Sequence, residues 1–139
     1  MIHQDGSWTF TVQLKTDPLA IRVVRKVIAA TARIGGAPDV DARLIELSVG
    51  EALANARLHA YQNGVGPIEV AVTLDREMFS VMIQNEGEVV TRGHPAPDTV
   101  DGQAWGLYLI GQMMDEVEIM RSEIGDHGTA IRMSKRLTA

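Results

Sequence analysis

The run ELSVGEALANARLHAY, Glu46 to Tyr61, carries its apolar residues at helical spacing and predicts a helix turning about 100° per residue. Ile45, Val49, Ala52, Leu53, Ala56 and Ala60 then share one apolar arc that should face a core. Arg43, Glu46, Gly50 and Arg57 fall on the far side, as a solvated face would. Ser48, Glu51, Asn55 and His59 lie on neither arc and form a polar stripe along one edge, with Glu51 and Asn55 four residues apart and therefore neighbours. A carboxylate and a carboxamide on one rigid helix can hold a hydrated magnesium ion and orient a hydroxyl or a water. The same spacing also suits a half-exposed helix flank, so the rest of the chain has to choose.

Upstream, Trp8 to Leu14 alternates Trp8, Phe10, Val12 and Leu14 with polar residues, the pattern of a strand with one buried side. Asp17-Pro18 is a helix start, and the next helix places Ile21, Val24, Ile28 and Ala32 on one stripe before Gly35-Gly36 ends it. Pro38-Asp39 opens the long helix, and Gly64 and Gly66 are expected to close it. Downstream, Ile68 to Leu74 and Met78 to Gln84 read as a hairpin across Asp75-Arg76-Glu77. Asn85 to Gln103 shows no sustained periodicity, and a loop of that length inside a compact domain is usually functional. A short helix containing the apolar run Trp105 to Met114 comes next. Glu116 to Arg121 and Thr129 to Lys135 close the chain as a second hairpin. The order βααββαββ predicts an α/β two-layer sandwich, with helices packed on one face of a mixed sheet.

With 139 residues, the chain is expected to form one domain spanning 1–139 with a core of its own. No apolar run approaches a membrane span, and MIHQDGSW has no signal-peptide character. Cysteine is absent, which excludes disulfides and thiolate chemistry and fits a cytoplasmic location. A net charge of −5 without a basic block argues against nucleic-acid binding as a main task. His3, His59, His94 and His127 are too scattered for a zinc site.

Four separated segments together resemble the GHKL superfamily of ATPases (the Bergerat fold), and within it the small anti-sigma-factor serine kinases of the RsbW type. Gly50 to Tyr61, GEALANARLHAY, resembles that family's N-box. Gln84-Asn85-Glu86-Gly87 stands where the family has Asp-Glu-Gly. Ala104 to Ile110, AWGLYLI, resembles the GxGLxLI segment, and Gly128-Thr129-Ala130 the final Gly-Thr box.

The resemblance implies ATP and Mg2+ as cofactors. It makes Asn55 the magnesium ligand and Glu51, one turn earlier, the general base. Backbone groups around Gly102, Ala104, Trp105, Gly106 and Leu107 would meet the phosphates at a helix N-terminus. Asn85, Gly87 and Thr129 would hold the adenine end, with the loop Gly87–Gln103 as a lid. Each residue also has a plainer reading. Asn55 could be a capping or water-bound flank residue, Glu51 solvated surface, His59 a packing residue, Trp105 core, and Gly102 and Gly106 simply permissive of a tight turn.

Two departures touch the nucleotide. The family's adenine-reading aspartate is Asn85 here, which removes a charge-assisted hydrogen bond worth about 1.5–3 kcal/mol and leaves at best a neutral one worth about 0.5–1.5 kcal/mol. If Asn85 turns its carbonyl oxygen to the adenine amine, its own N–H groups need a partner. In addition Glu88 replaces a glycine of the first box, and Ala104 replaces one that opens the next. Alanine at a position of positive φ would strain the loop, a demand Gly102 can take over.

By resemblance, the protein would be an ATP-dependent serine kinase and anti-sigma regulator. It would phosphorylate a small anti-anti-sigma-type antagonist, sequester a sigma factor, and form a homodimer through its N-terminal strand edge. The alternative is a partner-binding module on the same fold with a decayed nucleotide site. The ATP domain of a histidine kinase fits poorly, because nothing before Trp8 resembles a phosphoacceptor helix.

Overall fold

Alternating burial along the strands places one face of a sheet against the helices. The computed structural model describes Ile2, Gln4 and residues 6–87, 102–125 and 127–137, with the side chains of 102–105 excepted. Residues 88–101 of the expected lid, Glu88 and His94 among them, His3 and the side chains of Ala104 and Trp105 lie outside the described residues. The chain runs β1 (Trp8–Lys15), α1 (Pro18–Ile34), α2 (Asp39–Asn55), β2 (Pro67–Leu74), β3 (Met78–Asn85), α3 (Gly102–Met113), β4 (Glu116–Arg121) and β5 (Thr129–Arg136). This is the predicted order of elements. α2 does not run on regularly to Tyr61, however: a π-helical turn, Ala56–Ala60, continues directly from Asn55.

The sheet order is β1-β2-β3-β5-β4, and every neighbouring pair is antiparallel. The expectation of a mixed sheet is therefore corrected: the sheet is antiparallel throughout the described strands. The reason is topological. The crossover through α3 joins β3 to β4, which run in the same direction, but β5 inserts between them and separates the two as neighbours. Ile68, Val70 and Val72 of β2, Phe79, Val81 and Ile83 of β3, and Ile131 and Met133 of β5 form the buried face. They meet Ile45, Val49, Ala52 and Leu53 of α2 and Leu107 and Ile110 of α3 in one cluster. Each such side chain contributes about 1.5–3 kcal/mol on leaving water. The other face is polar, tied by a Ser80–Ser134 Oγ–Oγ contact at 2.9 Å and by Thr9 to Thr73 at 3.2 Å.

The apolar arc of α2 is buried as its spacing requires, but the far side is not simply solvated. α1 packs across it: a methyl at Gly50 would come within 3.0 Å of Arg25 Cδ. Glu46, expected outward, is only 4% exposed and accepts a hydrogen bond from Lys26 Nζ at 2.9 Å. Arg43 and Arg25 lie 3.8 and 3.9 Å away. The Lys26 hydrogen bond, opposed by burial and aided by the charges of Lys26, Arg43 and Arg25, holds the Glu46 carboxyl below the usual carboxylate range. Helical periodicity locates a polar flank but cannot tell whether a second helix will cover it.

Candidate functional site

Asn55 is the last residue of α2 before the π-helical turn, and it is 5% exposed. Its side chain makes no capping bond, so the capping reading does not hold. Its Nδ2 is buried without a hydrogen-bond partner among the described residues. α3 lies directly against this carboxamide. A methyl at Gly106 would stand 2.7 Å from Nδ2 and 2.8 Å from Oδ1. Gly106 is thus not a turn residue but a place inside a helix where the missing side chain makes room for Asn55. π-helical turns frequently mark functional sites, because the extra residue shifts the later side chains off the regular face. Here the turn takes His59 out of the 3.6-residue stripe, and His59 is half-buried.

The rest of the stripe divides. Ser48 is fully buried, with Oγ lacking a partner among the described residues. Glu51 is half-buried and makes no ion pair or hydrogen bond with any other described residue, which leaves its carboxylate oxygens free to accept. Burying a polar group such as the Asn55 amide without a partner costs about 1–3 kcal/mol. A hard oxygen donor held by packing, in a space kept open by a glycine, fits a magnesium site that nucleotide oxygens and water complete.

The other end of the site is built by two strands. On β3 the core-facing positions Phe79, Val81 and Ile83 continue to Asn85, and on β5 Met133 and Ile131 continue to Thr129. Asn85 and Thr129 therefore occupy the polar end of a row that is otherwise apolar, and both are buried. The N–H groups of Gly87 and Thr129 both donate to Asn85 Oδ1, at 3.0 and 3.3 Å. Nδ2 of Asn85 donates to no described residue. Gly128 is required here: a methyl on it would strike the Asn85 carbonyl oxygen. Gln84 Oε1 accepts from Glu123 N–H at 2.7 Å and so holds the β4–β5 turn beside this end.

Tyr61 joins the two ends. Its hydroxyl donates to the Pro67 carbonyl at 2.6 Å and accepts from Glu86 N–H at 2.8 Å. Burial pushes the phenol above its ordinary pKa, opposed by the Glu86 N–H hydrogen bond. Gly87 lies against Ala60, where a methyl would approach Ala60 Cβ to 2.6 Å. The end of the long helix and the end of β3 therefore form one unit. The chain reverses at Gln62 and Asn63, with φ of 51° and 64°, rather than at Gly64 and Gly66. Sequence reasoning places Tyr61 in a motif but gives it no role. The available signal is a large amphipathic side chain beside a predicted helix end.

Gly102 and Ala104 lie in α3, and Ala104 has no positive φ, so the strain expected of alanine there does not arise. Leu107 belongs to the core cluster. Magnesium fits the Asn55 end, whereas adenine does not fit the Asn85 end. The oxygen that should accept from its 6-amino group is already taken by two backbone N–H groups, and the free side-chain nitrogen can only donate.

Comparison with known proteins bears on the same residues. The family profile described as the histidine kinase-like ATPase domain matches residues 14–135. A protein named serine-protein kinase RsbW from Bacillus cereus strain Q1 is 28% identical over 127 residues, covering 83% of this chain and 76% of its own length. One of the same name from Bacillus mycoides strain KBAB4 is 27% identical over 127 residues, with the same coverage.

Proposed function

The chain belongs to the histidine kinase-like ATPase domain family, and on that premise we propose that it is a nucleotide-dependent protein serine kinase that also acts as an anti-sigma regulator. The observation that carries this reading is Asn55: a buried carboxamide housed by Gly106, one helical turn after Glu51, with neither Asn55 Nδ2 nor Glu51 partnered among the described residues. Asn55 would hold Mg2+, and the ion would neutralise charge on the phosphate oxygens. Glu51 takes the proton of a substrate serine as its oxygen bonds to the γ-phosphorus and the bond to the β-phosphate oxygen breaks. The N-terminal turn of α3 would face the phosphates, where helix N–H groups favour anions. Asn85, Gly87 and Thr129 form the base end. The partners follow from the resemblance: a small antagonist protein carrying the serine, a sigma factor, and a second copy at the edge strand β1. No described helix is long and apolar enough to cross a membrane.

Incubation with Mg-ATP or Mg-GTP and the antagonist protein is expected to yield phosphoserine, and Glu51→Gln to slow it about 10²–10⁴-fold. An unchanged rate in that variant would remove Glu51 from the chemistry. The alternative, a partner-binding module indifferent to nucleotide, draws on the occupied oxygen of Asn85. It requires that no purine triphosphate bind at all.

A further inference from the structure

The orientation of the Asn85 amide is fixed by the backbone around it. Two N–H groups, from Gly87 at 3.0 Å and Thr129 at 3.3 Å, converge on one side-chain atom. That atom must be the oxygen, because the turned-over amide would set its own N–H groups against two other donors. Both donors sit at fixed places. Gly87 is packed against Ala60, and Thr129 is the first residue of β5, paired with Arg121 of β4 and followed directly by Ala130, which pairs with Gln84 of β3. Asn85 itself is 5% exposed at the end of an apolar row, so its amide cannot swing without abandoning both bonds. What remains is Nδ2, a donor that no described residue uses.

A base packed against this end therefore meets a hydrogen-bond donor. Adenine offers a 6-amino group, which is also a donor, so at that ring position the two N–H groups face each other with no acceptor between them, its acceptors N1 and N7 lying to either side. A 6-oxopurine offers O6, an acceptor, at the same ring position. We propose that Asn85 makes this site select 6-oxopurine nucleoside triphosphates, GTP or ITP, over ATP. The inference rests on the reading of this region as a nucleotide site and narrows its substrate class. A site built around one hydrogen-bond pairing rejects the mismatched partner because the buried polar group is left unpaired.

ITP differs from ATP only along this edge of the base, so it isolates the effect, and GTP adds the 2-amino group. Calorimetric titration of the full chain with Mg-ATP, Mg-ITP and Mg-GTP is expected to give an ITP dissociation constant about ten- to a hundredfold below that of ATP. Asn85→Asp should reverse the order. One carboxylate oxygen would take the two backbone N–H groups, and the other would accept from the 6-amino group and repel O6. If the native chain binds ATP as tightly as ITP or more tightly, the inference is overturned while the nucleotide site stands. The same holds if ITP is preferred but Asn85→Asp leaves that preference unchanged. If neither protein binds any of the three triphosphates, the inference falls together with the nucleotide-site reading. The native order alone decides the matter should the variant fail to fold, which a thermal melt would reveal.

Discussion

The two ends of the candidate site each present a buried asparagine, and the two are held in opposite ways. Asn55 is positioned by packing between α2 and α3, and its Nδ2 finds no partner among the described residues. Asn85 is positioned by hydrogen bonds, its oxygen accepting from two backbone N–H groups across β3 and β5. At the first end the fold supplies space and leaves the polar chemistry for a ligand to complete. At the second the fold has already used the acceptor and dictates which atom the ligand will meet. Side chains of one chemical type therefore play different parts: Asn55 is set by what binds, Asn85 by what surrounds it.

A glycine backs each asparagine, and the pair separates the two modes experimentally. At Gly128 a methyl would meet the backbone carbonyl of Asn85, which cannot rotate away. Gly128→Ala should therefore push β5 from β3 and lower stability by about 3 kcal/mol, read as a shift in the urea midpoint at unchanged slope. A variant as stable as the parent would mean that the base end is not rigid, and selection by Asn85 would lose its foundation. At Gly106 the methyl would meet only a side-chain amide, at 2.7 and 2.8 Å, and the amide has torsions with which to yield. Gly106→Ala should cost about 1 kcal/mol in the same urea series. It should weaken nucleotide binding about tenfold in the presence of magnesium and leave magnesium-free binding nearly unchanged, because only the Asn55 end is displaced. Equal weakening with and without magnesium would mean that Asn55 contributes shape rather than a metal ligand.

What sequence could and could not give divides along the same line. The elements were legible because each obeys one local period. The run Phe79, Val81, Ile83 alternates, and Ile45, Val49, Ala52 and Leu53 recur at helical spacing. Asn55 and Glu51 were legible as neighbours because four residues on a helix fix their relation. The orientation of Asn85 was not. It depends on Gly87, two residues on, and on Thr129, 44 residues away, meeting at one atom. The antiparallel sheet was missed for a related reason: strand direction can be counted along the chain, but the insertion of β5 between β3 and β4 is a choice of neighbours. The role of Tyr61 and the covering of Glu46 by α1 are likewise relations between elements, which no single period encodes.

Glu46 supplies the smallest expected effect and a control for the whole comparison, since it lies on the side of α2 that faces α1 and touches neither asparagine. Its partner Lys26 is 59% exposed at the side chain and Arg43 is 61% exposed, so solvent screens the attraction. Glu46→Gln should therefore cost only about 1 kcal/mol at neutral pH. The direction of the shift sets the sign of the pH dependence. The folded pKa lies below the ordinary value of 4.5, so the contribution is fully present above about that pH and is lost as pH falls through the folded pKa. Urea titrations of parent and variant should differ at pH 7 and converge in acid below that range; a difference that persists there would mean the ion pair is not its source. Nucleotide titration of the same variant should show an unchanged base preference and an unchanged magnesium dependence. If either moved, α1 and α2 would be coupled to the site through the helix, and the two asparagines could no longer be treated as independently held.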